Sequence, residues 1–333
     1  MIDRRRFLRQ LTIAGPAAAL RVRPTRVGAE PPPETGTVRF TTYPAACIAP
    51  QWVAEDLLRA DGFTDVKYVD IPDDTLTAKV VTAGNADFSI EAAPAIPGYV
   101  DAGMSIVTLA GVHTGCFELF ASAGVKSVRD LKGRQVSVTA ENDERHVFVA
   151  LMLKYVGLDP GRDVRWDFRA SQDGMRLFAD GKVDAFLGFP PDPQELRSRK
   201  IGHVIVNTLT DRPWSNYFCC MLTANQDFVR QNPIATKRVV RAILKAGQIC
   251  ATEPERVARM LGERRIENRA EFATEVLRQL PYTRWREFGP DDTLRFYALR
   301  LREAGMIKAS PQKILSQGAD WRFVNELKKE LKG

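Results

Sequence analysis

Apolar and polar positions alternate in short blocks along most of this chain, and the block lengths predict strands and helices in turn. Val38–Tyr43 (VRFTTY) is a β-branched and aromatic run closed by Pro44. Ala49–Ala60 sets Trp52, Val53, Leu57 and Leu58 at helical spacing before Gly62. Val66–Ile71 reads as a second strand and Thr75–Thr82 as a second helix. Val80–Pro94 (VVTAGNADFSIEAAP) then passes through a helix end, a turn at Gly84 and Asn85, a buried strand from Asp87 to Ile90 and a stop. This βαβαβ order with short connections predicts an α/β fold with a doubly wound, mostly parallel sheet. Asp180–Pro191 (DGKVDAFLGFPP) repeats the glycine, aspartate, apolar run and proline, which predicts a second lobe like the first.

The rest of the chain fits two such lobes. Ile96–Ala102 reads as a helix, and Ser105–Gly111 as a strand that delivers Val112 to Cys116 into a loop. Phe117–Ala121 is strand-like; Gln135–Thr139, Val164–Phe168, Val183–Phe189 and Val204–Asn207 are the strands of the second lobe, with helices over Asp143–Val156 and Ser171–Ala179. Tyr217–Leu222 leads back to the first lobe, and from Asn232 onward the pattern is helical. The expected organisation is a Pro-rich linker over 30–36, a first lobe from 37–121 and 222–333, and a second from 122–221. A ligand cleft is expected between the lobes, because open α/β sheets bind ligands beyond the carboxyl ends of their strands.

Composition changes the picture at one end. With 44% hydrophobic and 27% charged residues the chain is globular in character. Its net charge of +7 is concentrated in residues 1–29, where seven arginines and one aspartate account for +6. The remainder, near neutrality, carries no basic footprint for nucleic acid. Arg4, Arg5, Phe7 and Leu8, ahead of the weakly apolar Leu11–Leu20 and a Val27-Gly28-Ala29 cleavage site, resemble a twin-arginine export signal, which implies a periplasmic location. That apolar run is too short to span a bilayer.

No catalytic constellation is present: GxSxG, GxxxxGK[ST] and GxGxxG are all missing. His113, His146 and His203 are scattered, and the five cysteines (Cys47, Cys116, Cys219, Cys220, Cys250) show no CxxC spacing, so no metal, cofactor or disulfide framework is expected, only buried free thiols. Candidate ligand contacts come from loops at predicted strand ends: Tyr43 and Ala45, Glu91 and Ala92, His113, Thr114, Phe117 and Glu118, Thr139, Glu141 and Asn142, Phe189, Trp214 and Tyr217.

VKSVRDLKGRQVSV, together with APQWVAE and the AGNADFS turn, resembles the periplasmic solute-binding proteins of the nitrate, sulfonate and taurine class of ABC importers, over nearly the whole chain after residue 29. That family also includes thiamine-pyrimidine precursor binders and pyrimidine synthases. The resemblance implies a two-lobed, type II-like binding-protein fold, a monomer, a small-molecule ligand, an ABC permease as partner and no turnover. The synthases carry a CCCFC motif, which only Phe218-Cys219-Cys220 echoes here; a synthase-like enzyme is the alternative reading, with a sensory domain as a third. Where sulfonate and nitrate binders place small residues at a helix start, this chain has Thr139-Ala140-Glu141-Asn142-Asp143-Glu144, whose acids would repel an anion from the positive end of the helix dipole. The expected ligand is therefore flat or amine-bearing rather than a simple sulfonate. The plainer reading of Asp143 and Glu144 is helix capping.

Overall fold

The computed structural model describes residues 30–71 and 76–331. The export-signal-like segment, 1–29, and Thr75, the expected first residue of the second helix, lie outside the described residues.

Ten strands build two sheets: β1 (Thr37–Thr42), β2 (Asp65–Asp70), β3 (Phe88–Ala92), β4 (Ile106–Thr114), β5 (Glu118–Ala121), β6 (Gln135–Val138), β7 (Arg165–Phe168), β8 (Ala185–Gly188), β9 (His203–Asn207) and β10 (Phe218–Asn225). The first sheet runs β2-β1-β3-β10-β4 and the second β7-β6-β8-β5-β9. In each, the three strands at one edge are parallel, as the alternating pattern predicts, and the fourth is reversed. That reversed strand is the device that joins the halves. β5 follows β4 directly but pairs with β8 and β9, and β10 follows β9 but pairs with β3 and β4.

Two expected boundaries move as a result. Residues 118–121, assigned by sequence to the first lobe, belong to the second sheet; residues 218–221, assigned to the second, belong with 222–225 in the first. A short apolar run reveals a buried strand but not which sheet takes it. The loop expected from Val112 to Cys116 is also largely strand, since β4 continues to Thr114.

The core follows from composition. Every residue of β3, β4 and β10 is buried; β3 and β10 lie inside the sheet, and β4, at its edge, is covered by the helices Pro233–Thr252 and Pro311–Gly318. The long helix Pro233–Thr252 packs on the helix Pro50–Ala60. The aspartate repeated in the two matching segments has a structural role in both. Asp87 accepts from the Arg39 backbone N–H at 2.8 Å and pairs with its guanidinium at 2.6 Å, which ties the start of β3 to β1. Asp184 likewise accepts from the Gln135 N–H at 2.9 Å, just before β8, and pairs with Arg134 at 3.3 Å. The repeat therefore marks two equivalent register pins rather than two ligand contacts.

Candidate functional site

Three of the aromatic candidates meet between the sheets. Tyr43, just past β1, donates its hydroxyl to the Ile90 carbonyl at 3.4 Å and turns its ring edge-on to Phe189, with centroids 6.3 Å apart. Phe189, just past β8, also meets Phe117 edge-on at 6.0 Å, and Phe117 lies on the crossing between β4 and β5. Ala45 and Ala92 are buried at the ends of β1 and β3, and Thr139 is half-buried beyond β6.

Arg145, which is not among the candidate residues, braces Phe189 in this group. It sits in the first turn of the helix Glu144–Tyr155, is 3% exposed, and lays its guanidinium over the Phe189 ring at 4.2 Å from the centroid. Nη1 donates to Ser171 Oγ and pairs with Asp192 at 3.2 Å, while Ser171 Oγ donates to Asp192 at 2.8 Å. The signal was legible in principle. Val147 to Leu153 are all buried, so a charged residue one turn earlier has little chance of facing water, and a buried charge needs partners.

Glu91 lies at the penultimate position of β3 and is 4% exposed. Its Oε2 accepts from Thr77 Oγ1 at 2.7 Å; its Oε1 is buried with no hydrogen-bond partner among the described residues. Desolvation raises its pKa to about 7, and the charge of Glu144 adds to the rise, outweighing the hydrogen bonds of Thr77 and Ser89. An acid poised near neutrality, with one oxygen unclaimed, suits a hydrogen-bond donor or cation arriving between the sheets.

The other candidates have different surroundings. Glu118 is ion-paired through Oε1 with Arg197, which also reaches Glu275 at 2.6 Å, while its Oε2 is buried with no hydrogen-bond partner among the described residues. Glu141 and Asn142 are exposed; Asn142 has φ 65° and donates its N–H to His146 Nδ1 at 3.0 Å. Asp143 caps the helix, accepting from His146 N at 2.8 Å and Ala140 N at 3.0 Å, as the plainer reading held. Trp214 is buried among Phe148, Tyr155 and Phe296, and Tyr217 stacks on Phe296 at 4.0 Å. Both therefore belong to an aromatic wall on the helix Pro290–Glu303. Sequence reasoning could not know that Phe296 would claim them.

His113 and Thr114 stand in β4 rather than a loop, opposite Cys220 and Phe218 of β10. The imidazole is fully buried against the Tyr282 ring. The expectation of scattered histidines and unclustered thiols is corrected here: Cys47, His113, Cys116 and Cys220 present their ligand atoms within 4.8 Å of one another. Spacing could not reveal this, because the four come from three separate stretches of chain.

Surface grooves of about 650 and 430 Å³ lie elsewhere, one beside Glu255, Glu271 and Arg278, the other beside Phe178, Lys200 and His203. Neither includes a candidate residue. The convergent groups around Glu91 and Phe189 therefore carry more weight than either hollow, because they combine buried polar atoms with contributions from both sheets.

Comparison with known proteins agrees with this architecture. A nitrate/nitrite binding protein, NrtA, from Nostoc sp. is 25% identical over 148 residues, 44% of this chain and 33% of that protein, so the match spans about a third of the relative's length. The crystal structure of the periplasmic nitrate-binding protein NrtA from Synechocystis PCC 6803 superposes with a TM-score of 0.77 at 15% identity, covering 91% of this chain and 90% of that one. The periplasmic aliphatic sulphonate binding protein SsuA from Escherichia coli gives 0.65 at 16% identity over 81% and 86%. At these identities the likeness establishes the periplasmic-binding-protein fold. The family model described as NMT1/THI5 like matches residues 61–257, more than half the sequence, and the chain belongs to that family.

Proposed function

We propose that this protein is the extracytoplasmic solute-binding component of an ABC importer, which captures a small molecule between its two sheets and presents it to a permease. The observation that carries the reading is the convergence of Tyr43 from the first sheet and Phe189 from the second beside the buried, half-satisfied Glu91. Two similar lobes joined by two crossings are suited to hinge closure, in which a ligand bridging both sides shifts the population toward the closed form by its differential affinity. Among the described residues no helix is long and apolar enough to cross a membrane. A basic signal-like N-terminus supports export by the twin-arginine route.

The ligand is a flat or amine-bearing compound. Glu91 offers an acceptor near neutrality, Tyr43, Phe117 and Phe189 offer faces and edges to a planar ring, and Glu144 adds negative charge felt at Glu91, which disfavours an anion beside it. Arg145 does not reverse that balance, since Asp192 pairs with it. Calorimetry against aminopyrimidines, cationic amines, taurine, alkanesulfonates and nitrate tests the choice, with mass spectrometry of the released ligand. Tight binding of an aminopyrimidine or amine, recovered unaltered, is the expected result. Tight sulfonate binding that Glu91→Gln leaves untouched overturns the ligand class, and chemical conversion of the bound molecule overturns the transport reading.

A further inference from the structure

Beneath the candidate cleft, at the place where the chain crosses between sheets, four soft or borderline ligands face one another. Cys47 lies in the 3-10 turn Ala46–Ile48 after β1, His113 near the end of β4, Cys116 on the crossing from β4 to β5, and Cys220 in β10, where the second crossing arrives. All are nearly or fully buried: 2%, 0%, 8% and 4% exposed in that order.

We propose that Cys47, His113, Cys116 and Cys220 form a closed tetrahedral site for Zn²⁺ that staples the two crossings together. The donor set, three thiolates and one imidazole, is a closed structural zinc set. A tetrahedral ion with Zn–S bonds of about 2.3 Å sets its sulfurs roughly 3.8 Å apart. The observed spread of up to 4.8 Å closes to that by small side-chain rotations. The imidazole is already oriented: Nδ1 lies 3.3 Å from the Thr114 carbonyl, and Nε2 is buried with no hydrogen-bond partner among the described residues. The tautomer that donates from Nδ1 to this carbonyl leaves the Nε2 lone pair for a metal, the usual outer-shell arrangement of a zinc-bound histidine. Tyr282 supports the site from the helical side by donating its hydroxyl to the Cys47 carbonyl at 2.9 Å. On binding, three thiol protons pass to solvent and three thiolates and a neutral imidazole remain on the ion, so uptake is favoured by rising pH.

One neighbour competes. Cys219 Sγ lies 2.7 Å from Cys116 Sγ, and a disulfide between them would remove Cys116 from the donor set.

The test is a titration of the reduced, metal-stripped full chain, under anaerobic conditions, with Co²⁺ and then Zn²⁺. One Co²⁺ per chain is expected, with thiolate-to-cobalt charge-transfer absorption and tetrahedral d–d bands, displaced by one equivalent of Zn²⁺; zinc-edge absorption should count three sulfurs and one nitrogen. Cys47→Ser and Cys220→Ser should weaken Zn²⁺ binding by more than the roughly 10–100-fold that loss of an outer-shell partner costs. Cys250→Ser, a buried thiol in the helix Pro233–Thr252, should leave it unchanged. Because the first measurement uses the unaltered chain, a variant that fails to fold does not shield the proposal. A folded, reduced chain that shows no thiolate-to-cobalt absorption overturns it. So does full Cys116–Cys219 disulfide in protein isolated without reductant.

Discussion

Tyr43 and Phe189 meet at an interplanar angle of 80°, and they are carried there by the ends of β1 and β8, strands of different sheets. An edge-to-face aromatic pair is worth about 0.5–1.5 kcal/mol beyond its buried area. A double-mutant cycle on Tyr43→Ala and Phe189→Ala should therefore return a coupling of about 1 kcal/mol in the stability of the liganded protein. Calorimetry on Phe189→Ala alone should show affinity reduced by about tenfold or more, the equivalent of roughly 1.4 kcal/mol. Independent effects of the two substitutions would mean that the rings do not meet in solution.

Glu91 gives stability a predictable pH dependence. Its folded pKa, about 7, stands above the unfolded value of 4.5, so the native state holds a proton that the unfolded chain releases. Stability from this group is fully present below the unfolded value, falls as pH rises through the folded one, and stays low above it. The shift corresponds to about 3 kcal/mol. Urea melts at pH 5 and pH 8 should show the difference shrinking in Glu91→Gln, which cannot ionise. Binding of a permanently cationic ligand should change in the opposite sense, tightening as pH rises toward 7 and levelling beyond. A pH-independent affinity would remove Glu91 from the ligand's surroundings.

The contrast between Glu91 and Glu118 shows what the sequence could and could not tell. Both were legible as carboxylates at strand ends, and both are buried in strands. Which one meets a cation depends on Arg197, 79 positions from Glu118, and no local pattern reveals that pairing. The strands and most helices were legible because their apolar periods and Gly or Pro stops act locally. The displaced boundaries at β5 and at the start of β10 reflect the same limit, since sheet membership is a long-range choice. The cysteine cluster was invisible for that reason too: Cys47 and Cys220 are brought together by the fold, not by spacing.

Arg145 should behave as a buried pair rather than a surface charge. Its partners Asp192 and Ser171 come from other elements, and the Phe189 ring covers its plane. Removing one member of such a pair leaves an uncompensated buried charge and costs about 3–5 kcal/mol. Arg145→Met should lower stability by about that much in denaturant melts. Arg145→Lys should recover less than half, because an ammonium lacks the planar fork and stacks poorly. Full rescue by lysine would show that charge alone matters there.

Gly115 sets the path of the first crossing, and two separate constraints fall on it. Its φ is +56°, and a Cβ built there would stand 2.3 Å from Leu209 Cα, a backbone atom that no side-chain rotation can clear. Gly84 separates the two constraints, for it has φ +72° with nothing within 4 Å of the added carbon. A left-handed backbone costs an L-residue about 1–2 kcal/mol, so Gly84→Ala should destabilise by roughly that amount and no more. Gly115→Ala must pay the same cost and in addition displace Leu209 from its place just after β9, which predicts a loss of about 3 kcal/mol or more and weaker ligand binding, since Phe117 lies two residues on. Equal melting midpoints for the two alanine variants would show that the crossing gives way at Leu209, and that the close approach there is not what fixes the chain's route between the sheets.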